Sequence, residues 1–240
     1  MHNKILKEIL SHRNPEKAKI ISGFFKTGKG QYGEGDLFLG ITVPMSRKIA
    51  IKYSDVTFAD LSKLITNKYH EVRLISLLIL VHKYKISARS CLAEKKKIVD
   101  FYLKNTKNIN NWDLVDLSAH YILGDYLYTL TTETPQRKVL WELAKSKNIW
   151  ERRISIISTF AFIYKRESDW TFKIVEILMN DKHDLIQKAC GWMLREVGKR
   201  VSENDLIAFL DIHGDKMPRT MLRYAIERFP ENKRKYYLNK

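Results

Sequence analysis

Apolar residues recur at helical spacing along almost the whole chain, and strand-like alternation is nearly absent. Between Val72 and Lys83, for example, Val72, Ile75, Leu78, Ile79 and His82 share one helix face. Glycine and proline are sparse, at 10 and 5. Asn14-Pro15-Glu16, Thr134-Pro135 and Ser202-Glu203-Asn204-Asp205 each put a capping residue ahead of a helical stretch. The pattern predicts roughly a dozen helices of about 10–17 residues joined by short loops.

Five of these stretches align with one another: Glu71–Ile75, Leu114–Ser118, Glu151–Ser155, Ile186–Cys190 and Met217–Met221. They lie roughly 31–43 residues apart, near the period of HEAT-type helix pairs. The shared column reads Arg73, Asp116, Arg153, Lys188 and Arg219. Stacked antiparallel helix pairs follow, with equivalent helix starts expected along one concave surface. Residues 1–240 are thus expected to form one all-α solenoid domain of HEAT-like repeats with a basic concave face.

Charge sharpens this picture. Lys and Arg number 43 against 27 Asp and Glu, a net charge of +16. Such an excess suits a polyanion such as nucleic acid, or an anionic surface. A cation near a helix start opposes the helix dipole. A repeated one therefore points to an external anion, and a DNA or RNA phosphate is the natural candidate. The alternative is an ordinary solvated face. The longest apolar run, Leu77–Val81, is too short to span a bilayer. No secretory leader is recognisable, and Cys91 and Cys190 read as reduced core thiols, so a soluble, cytoplasmic protein is expected.

Candidate chemistry centres on Asn111-Trp112-Asp113-Leu114-Val115-Asp116. Trp112 and Asp116 are four apart and share a helix face, and Lys188 and Trp192 repeat this relation, with Arg195 one turn on. On one groove, Trp112, Asp116, Arg153, Lys188, Trp192 and Arg195 could hold a cation between aromatic faces beside one carboxylate. The bland alternatives are a core Trp, an Asp116 that only pairs with a neighbour such as Arg153, and an Asp113 that only favours the first turn. Gly23–Gly30 imitates a phosphate-binding loop, but Gly30 stands where Ser or Thr is required and no strand precedes it. Gly28 to Gly35 reads as a flexible loop, and Phe24, Phe25, Lys26 and Lys29 give it a DNA-contacting character. The seven histidines are scattered, without metal-ligand spacing.

Four motifs in order carry a family resemblance: Gly33–Ile41 with Pro44, Asn111–Asp116, Asn148–Arg153 and Ile186–Glu196. Through them nearly the whole chain resembles the AlkD family of DNA alkylation-repair glycosylases. The resemblance implies excision of N3- and N7-alkylated purines from duplex DNA in base excision repair, without a metal or cofactor. It assigns Asp116 as the catalytic carboxylate, with Trp112 and Trp192 flanking the lesion nucleotide. Arg153 and Arg195 become backbone contacts. Phe24 stands where relatives often carry a tyrosine, so the ring is kept and the hydroxyl lost. Together with the column, the expected DNA contacts are Arg153, Arg195, Lys188, Arg73 and Phe24. The protein is expected to act as a monomer on alkylated duplex DNA. Two other readings are a non-catalytic DNA-structure binder on the same scaffold and a HEAT-type protein-binding scaffold.

Overall fold

The computed structural model describes residues 1–87, 91–130 and 137–240. Thr134-Pro135 lies outside the described residues. Every regular element among those described is helical, and Leu37 and Tyr69 form an isolated bridge. Successive helices pack on one another in the manner of a HEAT-like repeat. No helix among the described residues is long and apolar enough to cross a membrane. The chain divides into two compact units, Met1–Ser118 and Ala119–Lys240.

The first unit holds α1 (His2–Ser11), α2 (Pro15–Ser22), α3 (Val43–Lys52), α4 (Phe58–Ile65), α5 (His70–Ile86), α6 (Leu92–Lys104) and α7 (Trp112–Asp116). Asn14 caps α2 as expected, accepting the Lys17 N–H, with Pro15 in the first turn. The single apolar face expected for α5 is too narrow: every residue from His70 to Val81 is buried. Helices α3, α4, α6 and α7 all pack on α5, so it needs an apolar surface nearly all round.

The second unit holds α8 (Asp125–Thr129), α9 (Lys138–Ala144), α10 (Ile149–Ser158), α11 (Phe160–Tyr164), α12 (Asp169–Leu178), α13 (Asp184–Arg200), α14 (Glu203–His213), α15 (Arg219–Ala225) and α16 (Glu231–Asn239). A π-turn, His120–Gly124, precedes α8. Ser202 caps α14 by accepting the Asp205 N–H. Helix α13 lies tightly on α15, and a Cβ on Gly191 would come 2.4 Å from the Met221 carbonyl oxygen. Several helices are shorter than the expected minimum, with only five residues in α7, α8 and α11. Packing, rather than intrinsic helix stability, holds such short pieces. The basic C-terminal stretch is helix α16, where Tyr237 is buried and donates to Asp211.

Hydrogen bonds reveal the repeat register. Arg73 donates to carbonyls six and five residues before it, Asn67 and Lys68. Arg152 makes the same two bonds, to Ser146 and Lys147, and Gln187 reaches the Asp181 carbonyl six residues back. Ser76 bonds to Leu61 and Ser155 to Leu140, each fifteen residues back. Arg73 is therefore equivalent to Arg152 and Gln187, and the sequence column slips by one residue at its first member. Asp116, Arg153 and Lys188 are each the fifth residue of their helices, while Arg73 is the fourth and Arg219 the first.

The Gly33–Ile41 motif is explained by its attachment to α5. The Glu71 carboxylate is buried and accepts the N–H groups of Leu39, Gly40 and Ile41 at 2.9, 2.8 and 3.2 Å. Gly40 has φ +83°, and a Cβ there would lie 2.1 Å from the Asn14 carbonyl oxygen. Only glycine fits without shifting α2. Glu71→Ala would leave three buried N–H groups unsatisfied, at about 1–3 kcal/mol each. We expect a thermal midpoint lower by roughly 6 °C or more, read by circular dichroism; a shift under 2 °C would contradict this role.

Candidate active site

A cavity of about 520 Å³ opens in the first unit, over the start of α7. Ile41, Val43, Pro44 and Leu74 make its apolar wall, and Phe24, Trp112 and Asp116 also line it. Phe24 is 70% exposed, while Phe25 is buried and stacks on the Trp112 ring at 5.2 Å. The short helix α7 presents Trp112 from its first residue and Asp116 from its last. Asn111 caps it, accepting the Trp112 N–H through Oδ1. Tyr102, fully buried in α6, bonds to Ser118 at 3.1 Å; burial, with a contribution from the Asp116 charge, pushes its phenol above the ordinary range.

The two carboxylates of α7 are placed differently. Asp113 is buried, accepts its neighbour Leu114 N–H, and receives His70 Nε2 at 2.8 Å. His70 Nδ1 faces Asp36 Oδ2 at 3.5 Å, an ion-pair distance rather than a hydrogen bond. Asp36 also accepts Arg73 Nη2 at 2.6 Å and Asn111 Nδ2 at 3.1 Å. Burial disfavours the His70 charge, but Asp113 and Asp36 outweigh it and push its pKa up to about 9. Burial likewise works against the Asp36 carboxylate, yet His70, Arg73 and Asn111 hold it below the ordinary range. Phe25 and Phe38 pack on the imidazole at 5.0 and 4.9 Å.

In the second unit, Lys188, Trp192 and Arg195 follow one another along α13 at helical spacing. Lys188 pairs with Asp184 at 2.9 Å, and Arg195 with Glu227. Trp192 meets Phe160 edge-on at 5.7 Å. The Arg153 residue is only 6% exposed, and its Nη1 donates to the Leu185 carbonyl at 2.6 Å, tying α10 to the first turn of α13.

Within the first unit the structure gathers Phe24, Trp112 and Asp116 on one cavity. It withdraws Arg73, expected to contact DNA: its side chain is 6% exposed and committed to Asp36 and two carbonyls. It also reveals Asp36, His70 and Glu71, which the scattered histidines gave no reason to single out. Their signal was present in the two motifs they join, Gly33–Ile41 and Asn111–Asp116. No group of His, Cys, Asp and Glu among the described residues could hold a metal ion.

The family model described as DNA alkylation repair enzyme matches residues 5–229. The chain belongs to this family. A solved structure described as a predicted DNA alkylation repair enzyme from Enterococcus faecalis shares its fold, with a TM-score of 0.66 at 17% identity. That match covers 92% of this chain and 98% of the other. No curated protein matches the chain. The family description and the basic charge make DNA the expected partner.

His70 predicts how stability depends on pH. Its folded pKa lies above the ordinary 6.5, so its contribution is complete below pH 6.5 and disappears as pH rises through about 9. Urea unfolding of wild type and His70→Gln should show a stability difference that shrinks across this interval. A difference independent of pH would contradict a buried imidazolium.

Proposed function

We propose that this member of the family is a DNA glycosylase that excises N3- and N7-alkylated purines from duplex DNA. The observation that carries the reading is the Asp116 carboxylate beside the Trp112 ring, on the wall of a largely apolar cavity. An alkyl group on purine N3 or N7 makes the base cationic and already a good leaving group, so no general acid is needed. The difficulty lies in the sugar, which becomes oxocarbenium-like as the glycosidic bond breaks. Asp116 opposes that positive charge and orients or deprotonates the attacking water. The apolar wall lowers the local dielectric and strengthens the interaction. The Trp112 face attracts the cationic nucleotide by about 0.5–2 kcal/mol.

Trp192 is assigned to the lesion nucleotide as well, and Lys188, Arg195 and Arg153 to the duplex backbone. The net charge of +16 supports binding to the phosphates. Arg73 is left out because its charge is paired with the buried Asp36 carboxylate.

Release of 7-methylguanine from methylated duplex DNA tests the reaction. Asp116→Asn should be slower by about 10²–10⁴. Equal rates for the two proteins would remove Asp116 from the mechanism. Tight duplex binding with no release by wild type would favour a non-catalytic DNA-structure binder. For the backbone contacts, Lys188→Gln should weaken binding and make the salt dependence shallower, by about 0.9 in log–log slope. An unchanged slope would exclude a phosphate contact at Lys188. Arg153→Ala should reduce both affinity and stability, since it also strands the Leu185 carbonyl.

A further inference from the structure

We infer that His70 is a positioning residue for this reaction: as a buried imidazolium between Asp36 and Asp113, it fixes the first turn of α7, and with it Trp112 and Asp116. The kinetic consequence rests on the glycosylase reading; the geometry does not.

Helix α7 has five residues, too few to hold its own shape. Its start is held from outside at Asn111 and Asp113. Asn111 donates to Asp36, and Asp113 accepts from His70, which itself faces Asp36. One charge cluster therefore holds both sides of the turn that presents Trp112. Asp116 follows one turn later on the same helix.

Both ring nitrogens of His70 face carboxylate oxygens. A neutral imidazole carries a lone pair on one nitrogen. In either tautomer that lone pair would point at an anion. Only the doubly protonated ring suits both neighbours. The charged groups around it come from each packed element: Asp36 from the loop, Asp113 from α7, and Arg73 and Glu71 from α5 itself. Glu71 is occupied by the three loop N–H groups. Two carboxylates thus face Arg73 and His70, and they balance only while His70 is charged. Loss of that proton leaves one ring N–H for two carboxylates, so a lone pair faces Asp113 or Asp36 and the positive charge that both attract is gone, while Arg73 and Asn111 stay on Asp36.

The ring also acts through packing. Phe25 touches both His70 and Trp112, at 5.0 and 5.2 Å. His70 borders the cavity, but its side chain is only 2% exposed and both nitrogens face protein carboxylates, so its polar atoms are turned to the protein rather than to the substrate. A small displacement of a reacting group is enough to cost a large factor in rate.

The test is single-turnover release of 7-methylguanine between pH 6 and 9.5, with enzyme-free release subtracted. Duplex affinity is measured alongside. In wild type the rate should fall on an alkaline limb centred near 9 while affinity holds. The His70→Gln variant should bind DNA with near wild-type affinity, release base about 10–100-fold more slowly at pH 7, and lack the limb. A limb of equal size in the variant, a variant as fast as wild type, or a wild-type rate flat to pH 9.5 would overturn the inference. NMR of wild type, labelled with ¹⁵N, separates this from failure of the glycosylase reading. The Leu114 amide and Trp112 indole resonances should move with the His70 ring titration. If wild type releases no base, that reading falls and NMR alone decides: resonances that follow His70 uphold the clamp, and resonances indifferent to it overturn it.

Discussion

The first unit is organised around one buried imidazolium. His70 lies between Asp36, from the loop ahead of α3, and Asp113, from the start of α7. Arg73 and Asn111 complete the attachment of Asp36. Next to His70, Glu71 gathers the N–H groups of Leu39, Gly40 and Ile41. Two adjacent side chains on one helix thereby anchor a long loop and a short helix that would not hold their shapes alone. Buried charges are costly unless compensated, and here each is met by an opposite charge or by backbone donors.

That arrangement separates the two acids of α7. Both border the apolar cavity beside the indole, but Asp113 is buried and bonded to His70, while Asp116 is only half-buried. A carboxylate on an apolar wall interacts more strongly with a developing positive charge than the same group in water. A cationic alkylpurine brings its own leaving-group activation, so one such carboxylate is chemically sufficient for the proposed reaction. The extra carboxylates nearby are then parts of the mounting rather than a second acid or base.

The repeats show how similar helix starts take on different work. Arg73 and Arg152 both reach back to two carbonyls of the preceding turn, and each is also paired with an aspartate. These are internal brackets that close the turn before a helix. The next position along carries Asp116, Arg153 or Lys188, and it is there that the repeats diverge. A basic residue one step away from a candidate contact can thus be wholly structural.

The helical class, the repeat and the excess positive charge were legible in the chain, because periodicity and composition are local properties. The caps at Asn14 and Ser202 were legible for the same reason: a capping side chain bonds within its own turn. So was the pairing of Trp112 with Asp116, since i and i+4 share a helix face wherever the helix goes. The burial of α5 on all sides was not, because it depends on how many neighbours pack against it. The one-residue slip at Arg73 was hidden because Arg152 and Arg153 are adjacent, so Arg73 can be matched to either; only the bonds to Asn67 and Lys68 decide for Arg152. The roles of Asp36, His70 and Glu71 were hidden for a related reason. Their partners lie about 30 to 75 residues away along the chain, and one sequence records the side chains but not which of them meet. Sequence alone determined that this is a basic helical-repeat protein with an acid beside a tryptophan. Tertiary structure decided which acid is tied up inside the protein, because burial and long-range pairing are settled only when the loop closes on α5.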